Sequence, residues 1–570
     1  MFFSKLTNQK NSTTAISVLL LSLSLFLVIG HFAQAPAGGQ DSWNHFLYAR
    51  WGLKHPELLI DQWGKPLFTM LAAPLTKLGF NGVYALNYLA VLATAWLVYL
   101  TARRIGFKNP WLTLLLFCWQ PVVLANTHSF LTEPTNALLL AIVLYLFASN
   151  KYVAAALVAS FFPMARTEGY LLLAVVIMFL IMRGKWKILP FTLVGVILLA
   201  TLGAFISGDW LWIYTSNPYF NAHNNPMATG GHDFFHFAGL QSNITGLVVS
   251  VLMLISLGLT LGYVVKRLKK KTPSQLLQLS LWLWWPMLIV FFLAHSYSWY
   301  SGNFGSHGLH RVFFIVSPVL ALQAHHGLDT IFRLGVVWLN QATKVVVILG
   351  LFLLAFPGAG MPYPWQMQDP LANRPSIPSD PYAAHALELI LFCRQSDSTL
   401  QNHLDECNYF SKPLVTFMDT LTNGGEDSCG GNRIDSQIVN DLKAVPNNGF
   451  NLLIHQIPEI NARLGLDPWG ANIQFHRPIK NKPVDFAREI ESWPAEDRTL
   501  LLWSIGQDPS SDWIPENSWV IWDSFYGVRE GLVSLSRLQN DHRYKLIKSS
   551  SISTKSAGEH QVYLFKKIRK

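Results

Sequence analysis

The chain has 570 residues, of which 51% are hydrophobic and only 13% charged, with a formal net charge of +10 and a mean hydropathy of +0.28. Globular soluble domains carry roughly a quarter charged residues, so a soluble enzyme is excluded, as are a disordered chain, a collagen-like repeat and a disulfide scaffold. What remains is a polytopic membrane protein, in which long apolar runs cross a bilayer and each charge inside them is expensive.

The charges divide at Pro357. Only eight of the 33 acids precede it, Asp41, Glu57, Asp61, Glu133, Glu168, Asp209, Asp233 and Asp329, whereas 22 of the 43 bases do. A lipid-embedded part is therefore joined to a water-facing part of ordinary charge density, large enough for one domain. The basic balance is a matter of membrane topology. The one dense run of bases, Lys266-Arg267-Leu268-Lys269-Lys270-Lys271, directly follows an apolar run, so no nucleic-acid partner is expected.

In chain order, apolar runs that cross or nearly cross a bilayer fall at 13–33, 83–102, 110–126, 131–149, 152–166, 169–182, 188–207, 243–265, 279–297, 311–325 and 334–356. The first is read as a retained span. Ala33-Gln34-Ala35 resembles a signal-peptide cleavage site, but Pro36 follows it at once. With Lys5 and Lys10 inside and the runs alternating, 16 bases lie inside and 6 outside, as the positive-inside rule requires. Eleven spans then leave the N-terminus in the cytoplasm and everything after Pro357 on the outer side. Seven of the eight early acids also fall outside, only Asp329 inside, which points to a site opening outward.

Two outer loops are long. Within residues 34–82, the segments 42–60 and 66–80 suit helices lying along the interface. The loop 208–242 carries Trp210, Trp212, Tyr214, Tyr219, His223, His232, Asp233 and His236. It reads either as an aromatic belt or as a binding loop.

The membrane part is thus residues 1–356, followed by a Pro-rich connector at 357–382 and an outer, periplasmic-side domain at 383–570. In that domain 383–394 reads as an amphipathic helix, and 499–505, 519–522, 544–547 and 561–565 as short strands, an α/β or α+β pattern. It holds no Gly-rich phosphate loop, nucleophile elbow or His-Glu-x-x-His. Cys118 lies in an apolar run, while Cys393, Cys407 and Cys429 lie beyond the connector, where at most one disulfide can form.

The candidate site residues are the outer-side charges. Asp41, in Gly38-Gly39-Gln40-Asp41-Ser42-Trp43, stands just past the first span, where partial desolvation suits a general base as well as a solvated loop acid suits the position. Asp61 and Lys65 open the segment Asp61-Gln62-Trp63-Gly64-Lys65-Pro66-Leu67, and Lys65 can meet a lipid phosphate or simply snorkel. Glu133, before Pro134, reads as helix-end chemistry or as part of a pocket. Arg166-Thr167-Glu168-Gly169 places both signs of charge between two apolar runs, as a hairpin brace or a polar-ligand site. His307, His310 and Arg311 enter the tenth run from outside, where a guanidinium can hold phosphate oxygens bidentately. These histidines lack a metal-ligand spacing. No cofactor is indicated; a divalent metal is compatible with the sequence, but nothing in it points to one, and no metal ligands are assigned.

As an ensemble these residues resemble the GT-C superfamily of membrane glycosyltransferases, and within it the protein-mannosyltransferase and lipid A aminoarabinose-transferase type. The matching features are an acid just after the first span (Asp41), Gly-Lys-Pro-Leu at Gly64 to Leu67, Arg-x-Glu-Gly at Arg166 to Gly169, and an outer Arg with Pro further along the same span (Arg311, Pro318). The likeness covers about residues 10–356. It implies inverting transfer of a sugar from a polyprenyl-phosphate carrier to the hydroxyl of a lipid, glycan or protein acceptor on the outer face of a bacterial inner membrane. By the resemblance Asp41 is the base. Lys65, Arg166, His310 and Arg311 hold the donor phosphate, and Glu57, Asp61, Glu133 and Glu168 shape the acceptor side or the pocket. The pattern departs from the family where Ser42 follows Asp41 in place of a second acid and where Leu67 replaces a second Pro. The other class that suits a chain of this kind is a transporter or flippase for lipid-linked saccharides, although no internal repeat is evident and the acids lie at span ends.

Overall fold

The computed structural model describes residues 2–32, 36–219, 233–267, 275–304, 308–355, 452–455, 499–502, 519–523, 535–554 and 558–568. Up to Ala355 the described chain is almost wholly helical, and each of the eleven apolar runs folds as helix. Their lengths differ. Asn11–His31, Phe80–Ile105, Trp186–Ser207, Gly246–Tyr263 and Gln275–Ser301 are long and apolar enough to cross a bilayer, and Glu133–Ala148, Tyr152–Ala165, Gly169–Met182 and Val337–Phe352 are apolar but shorter.

The remaining two runs are broken by proline, which lacks the amide a continuing helix needs. Leu112–Cys118 stops before Pro121–Asn126 begins. The 3-10 turn His310–Val316 precedes Ser317–Arg333, with Pro318 in its first turn. Gln120 braces both interruptions, its Nε2 donating to the carbonyls of Leu116 at 2.9 Å and Ser317 at 3.0 Å.

Ser317–Arg333 is buried continuously from Ser317 to Asp329. A helix covered on every side is core rather than lipid-facing. At its C-terminal end Asp329 accepts from the Lys108 amide at 2.7 Å and from Arg333 Nε at 2.5 Å, and Lys108 Nζ donates to the Phe332 carbonyl at 2.8 Å.

At the other end of the bundle a short set of bonds fixes the loop that follows the first apolar run. Ala37 N donates to the His128 carbonyl at 2.9 Å. Ser42 Oγ donates to the Ala37 carbonyl and accepts from Phe130 N at 3.2 Å. Asn87 Nδ2 donates to the carbonyls of Ser129 at 2.8 Å and Leu131 at 3.0 Å. The helix Gly39–Trp51 is thereby tied beside the start of Glu133–Ala148. It buries Trp43 and Phe46 against Phe80 and Phe130, with ring centroids 4.7–5.5 Å apart. Gly38 precedes it at φ 87, and a Cβ there would lie 2.6 Å from Leu131 Cδ2, so this turn needs glycine twice over.

The expected interfacial helix at 42–60 is two helices, Gly39–Trp51 and Pro56–Ile60, because Gly52 and Pro56 interrupt it. The segment 66–80 folds as Pro66–Ala72 and then tightens into the 3-10 turn Ala73–Leu78.

Beyond the membrane part, β1 (Leu452–His455), β2 (Thr499–Leu502), β3 (Trp519–Asp523), β4 (Tyr544–Thr554) and β5 (Gly558–Lys567) form one sheet in the order β2-β1-β3-β5-β4. β1 is parallel to β2 and β3, whereas β5 runs antiparallel to both β3 and β4. The four expected strands are present, β4 extending to Thr554, and β1 is additional. The expected helix at 383–394, the connector, Ala33 to Ala35, His223, His232, His307, Cys393, Cys407 and Cys429 lie outside the described residues. Cys118 is a buried free thiol.

Candidate active site

Asp41 sits in the first turn of Gly39–Trp51, and the bonds around Ala37 and Ser42 aim that turn at the start of the tenth apolar run. There Arg311 Nη2 donates to Asp41 Oδ2, and its Nη1 donates to the Gly38 carbonyl at 3.4 Å. The two partners are unequally exposed, Arg311 at 8% of its side chain and Asp41 at 42%. Arg311 Nε lies 3.6 Å from Glu133 Oε1, and that same oxygen is 3.0 Å from Arg166 Nη1. Arg166 grips Glu168 with two donors, Nη2 to Oε1 at 2.9 Å and Nε to Oε2 at 3.2 Å, and gives Nη1 to Thr132 Oγ1 at 3.1 Å.

Asp41, Arg311, Glu133, Arg166 and Glu168 therefore form one continuous chain of ion pairs drawn from four separate segments. Gly169 permits the tight turn that brings Arg166 and Glu168 in, since a Cβ there would stand 2.2 Å from the Phe162 carbonyl oxygen. Glu133 is not engaged in capping its own helix: its carboxylate, 1% exposed, lies between the two guanidiniums. Its Oε2 is sealed from solvent and has no hydrogen-bond partner among the described residues, as is true of the nearby Thr135 Oγ1 and both amide atoms of Asn136. Burial by itself opposes ionisation of Glu168, but the Arg166 guanidinium overrides it and holds the carboxyl well below the usual carboxylate range.

Lys65 comes from a strained turn. Asp61 Oδ1 accepts from Gly64 N at 2.8 Å, closing a turn that leads into Lys65 at φ 63 before Pro66 starts its helix. A non-glycine residue in that region of backbone space is held there by its surroundings. The ammonium, on a residue only 3% exposed, donates to the Gln62 carbonyl at 3.1 Å and to the Tyr219 hydroxyl at 2.5 Å, and lies 4.4 Å from the centre of the Tyr219 ring. Its charge is felt by Glu168 and by His45.

His310, beside Arg311, is 4% exposed, and its Nε2 has no partner among the described residues. Glu57 stands apart, its side chain 53% exposed and 3.9 Å from His55 Nδ1. Of the residues singled out from sequence, five are in direct contact, Lys65 is electrostatically coupled to them, Asp61 builds the Lys65 turn and His310 adjoins Arg311. Two participants, Thr132 and His45, escaped sequence reasoning, while Tyr219 was visible as one aromatic of the 208–242 loop but not as the partner of Lys65. Thr132 acts through a tertiary contact that no local pattern announces. His45 did carry a signal, its spacing of four from Asp41 on one helix face. No group of three or more His, Cys, Asp or Glu side chains suited to a metal ion occurs among the described residues.

The three acids Asp41, Glu133 and Glu168 balance the three bases Lys65, Arg166 and Arg311. An entering anion can displace a carboxylate from a guanidinium, and Asp41, the half-exposed acid, is the one with room to move.

The sequence matches no protein-family model and no curated protein. Among solved structures, the crystal structure of ArnT from Cupriavidus metallidurans bound to undecaprenyl phosphate superposes with a TM-score of 0.50 at 13% sequence identity, covering 97% of this chain and 97% of that one. At that identity the likeness bears on architecture, and by architecture the chain has the ArnT-like GT-C membrane fold.

Proposed function

We propose that this protein is a membrane glycosyltransferase that takes a sugar from a polyprenyl-phosphate carrier and inverts the anomeric centre as it passes the sugar to an acceptor hydroxyl. The observation that carries the reading is the ion-pair chain from Asp41 to Glu168, set in the fold of a protein whose own crystal structure holds undecaprenyl phosphate. Arg311 and Arg166, with Lys65 close by and His310 as a further donor, suit the phosphate of the carrier. Buried guanidiniums bind phosphate oxygens bidentately and stabilise the charge that grows on the leaving group. Asp41 then takes the proton of the acceptor hydroxyl as the acceptor oxygen bonds to the anomeric carbon, and the bond from that carbon to the phosphate oxygen breaks. Glu133 and Glu168 keep the two arginines in place. Asp61 shapes the pocket by holding the Lys65 turn, and Glu57 lines the approach to it. The site faces the outer side of a bacterial inner membrane, with the N-terminus in the cytoplasm and residues 383–570 forming a periplasmic domain.

The test is transfer from labelled undecaprenyl-phosphate sugars by the full-length protein in lipid. Asp41→Asn should abolish turnover while undecaprenyl phosphate still binds, and Arg311→Ala should weaken that binding. Turnover retained in Asp41→Asn removes Asp41 as the base. Sugar-lipid movement across the bilayer without transfer would favour a flippase.

A further inference from the structure

His45 follows Asp41 by one helical turn on Gly39–Trp51, so the two side chains leave the same face. Its imidazole stacks on the Trp63 ring, centroids 4.8 Å apart and planes at 20°, and Phe68 meets it edge-on at 5.9 Å. The residue is 5% exposed. The charges of Asp41, Lys65, Arg166 and Arg311 all act on this ring, which therefore stands among the groups assigned to the base and to the phosphate. Two aromatic neighbours fix its plane, yet Nδ1 is sealed from solvent and has no hydrogen-bond partner among the described residues.

A buried polar atom with no partner is costly, and a structure that holds one rigidly beside its charged site suits a ligand that completes the bond. Burial lowers the His45 pKa to about 3, despite the opposing pull of Asp41, so the ring is neutral near pH 7. A neutral imidazole offers one donor and one acceptor. It does not compete with Lys65 or the arginines for a phosphate. What it fits is an uncharged hydroxyl, and the space between base and phosphate is where the transferred ring has to lie.

Resting on the transferase reading above, we propose that His45 is a sugar-binding residue: braced by Trp63, its imidazole hydrogen-bonds one ring hydroxyl of the carried sugar and so holds the anomeric carbon between Asp41 and the leaving phosphate. His45→Phe keeps a flat ring against Trp63 and removes both nitrogens. The experiment uses the full-length protein in nanodiscs, undecaprenyl phosphate as the binding probe, and undecaprenyl-phosphate hexoses together with their monodeoxy counterparts as donors.

His45→Phe should bind undecaprenyl phosphate within about twofold of the native protein and lose about 10- to 100-fold in kcat/KM with the hydroxylated donor. With the one monodeoxy donor that lacks the bonded hydroxyl, native and variant proteins should transfer equally well. His45→Gln, which keeps a donor and an acceptor, should recover part of the loss. An equal loss on every donor, or none, overturns the assignment. If His45→Phe does not fold, the native protein alone decides: it must penalise one monodeoxy donor at least tenfold more than the others, and a flat response overturns the proposal. Native protein that transfers from no donor overturns the transferase reading itself, whereas native transfer that His45→Phe leaves intact overturns only the role of His45.

Discussion

Glu133 lies between two guanidiniums, and neutralising it should move stability and anion binding in opposite directions. Its Oε1 is 3.0 Å from Arg166 and 3.6 Å from Arg311, on a side chain 1% exposed. At an effective dielectric constant of about 20 each contact is worth roughly 5 kcal/mol of gross attraction, against a desolvation penalty of several kcal/mol for the carboxylate. Removing one partner of such a buried set typically costs about 3–5 kcal/mol. Glu133→Gln keeps the shape and one acceptor for Arg166, so about 3 kcal/mol is expected, read as a lower melting temperature in detergent. The arginines then have only Asp41 and Glu168 between them, and a phosphate no longer competes with Glu133. Undecaprenyl phosphate should bind about tenfold more tightly, a gain of about 1.4 kcal/mol. Calorimetric titration of variant and native protein checks both signs on one preparation. A loss of stability with unchanged or weaker binding would refute the view that Glu133 shares its arginines with the donor phosphate.

Two further outcomes concern the end of the bundle that carries Asp41. Gly38→Ala combines a φ of 87 with a Cβ 2.6 Å from Leu131 and should cost about 2–3 kcal/mol; because Arg311 bonds the Gly38 carbonyl, transfer should fall as well, and a melting temperature within about 1–2 °C of the native value speaks against the constraint. Burial lowers the pKa of His45, His128 and His310 to about 3, 4 and 3, so the unfolded chain takes up protons before the folded one does. Their contribution is full above about pH 6.5 and is lost as the pH falls toward 4, by at most about 1.4 kcal/mol per histidine and pH unit. Glu168, held low by Arg166, contributes fully above the ordinary carboxylate range and loses that contribution progressively as the pH falls below it, so it adds nothing to the loss between pH 7 and pH 5. Melting temperatures between pH 7 and pH 5 should therefore decline, and a flat profile counts against three buried neutral histidines.

The membrane part was legible because charges in an apolar sequence are rare and expensive, so Asp41, Glu133, Arg166, Glu168 and Arg311 were conspicuous before any contact was visible. Glu57 was equally conspicuous and joins no chain of pairs, since sequence cannot distinguish a solvated loop acid from one turned inward. Hydropathy marked 110–126 and 311–325 as spans like the others. It could not reveal that Pro121 and Pro318 break them into short pieces, nor that Ser317–Arg333 is wrapped by its neighbours rather than by lipid. The strands of the C-terminal sheet were visible as apolar and aromatic runs, except Leu452–His455, whose four residues offer no period to read. The parallel pairing of β1 with β2 and β3 depends on partners dozens of residues away.

The ion-pair chain also has an order in time. Arg166, Glu168 and Glu133 fall within 36 residues of one another and can pair as soon as two neighbouring helices have entered the membrane. Arg311 meets Asp41 across 270 residues, and Asp329 meets Lys108 across 221. At about 5–20 residues per second, Asp41 waits roughly 15–50 s on the ribosome's schedule for its partner. Until the tenth apolar run is made, the early helices carry an acid without its arginine at one end of the bundle and a basic loop without its acid at the other. Completion of the site therefore coincides with insertion of the central helix, and a chain truncated before Arg311 lacks both the buried helix Ser317–Arg333 and the two contacts that Arg311 makes in the charged chain.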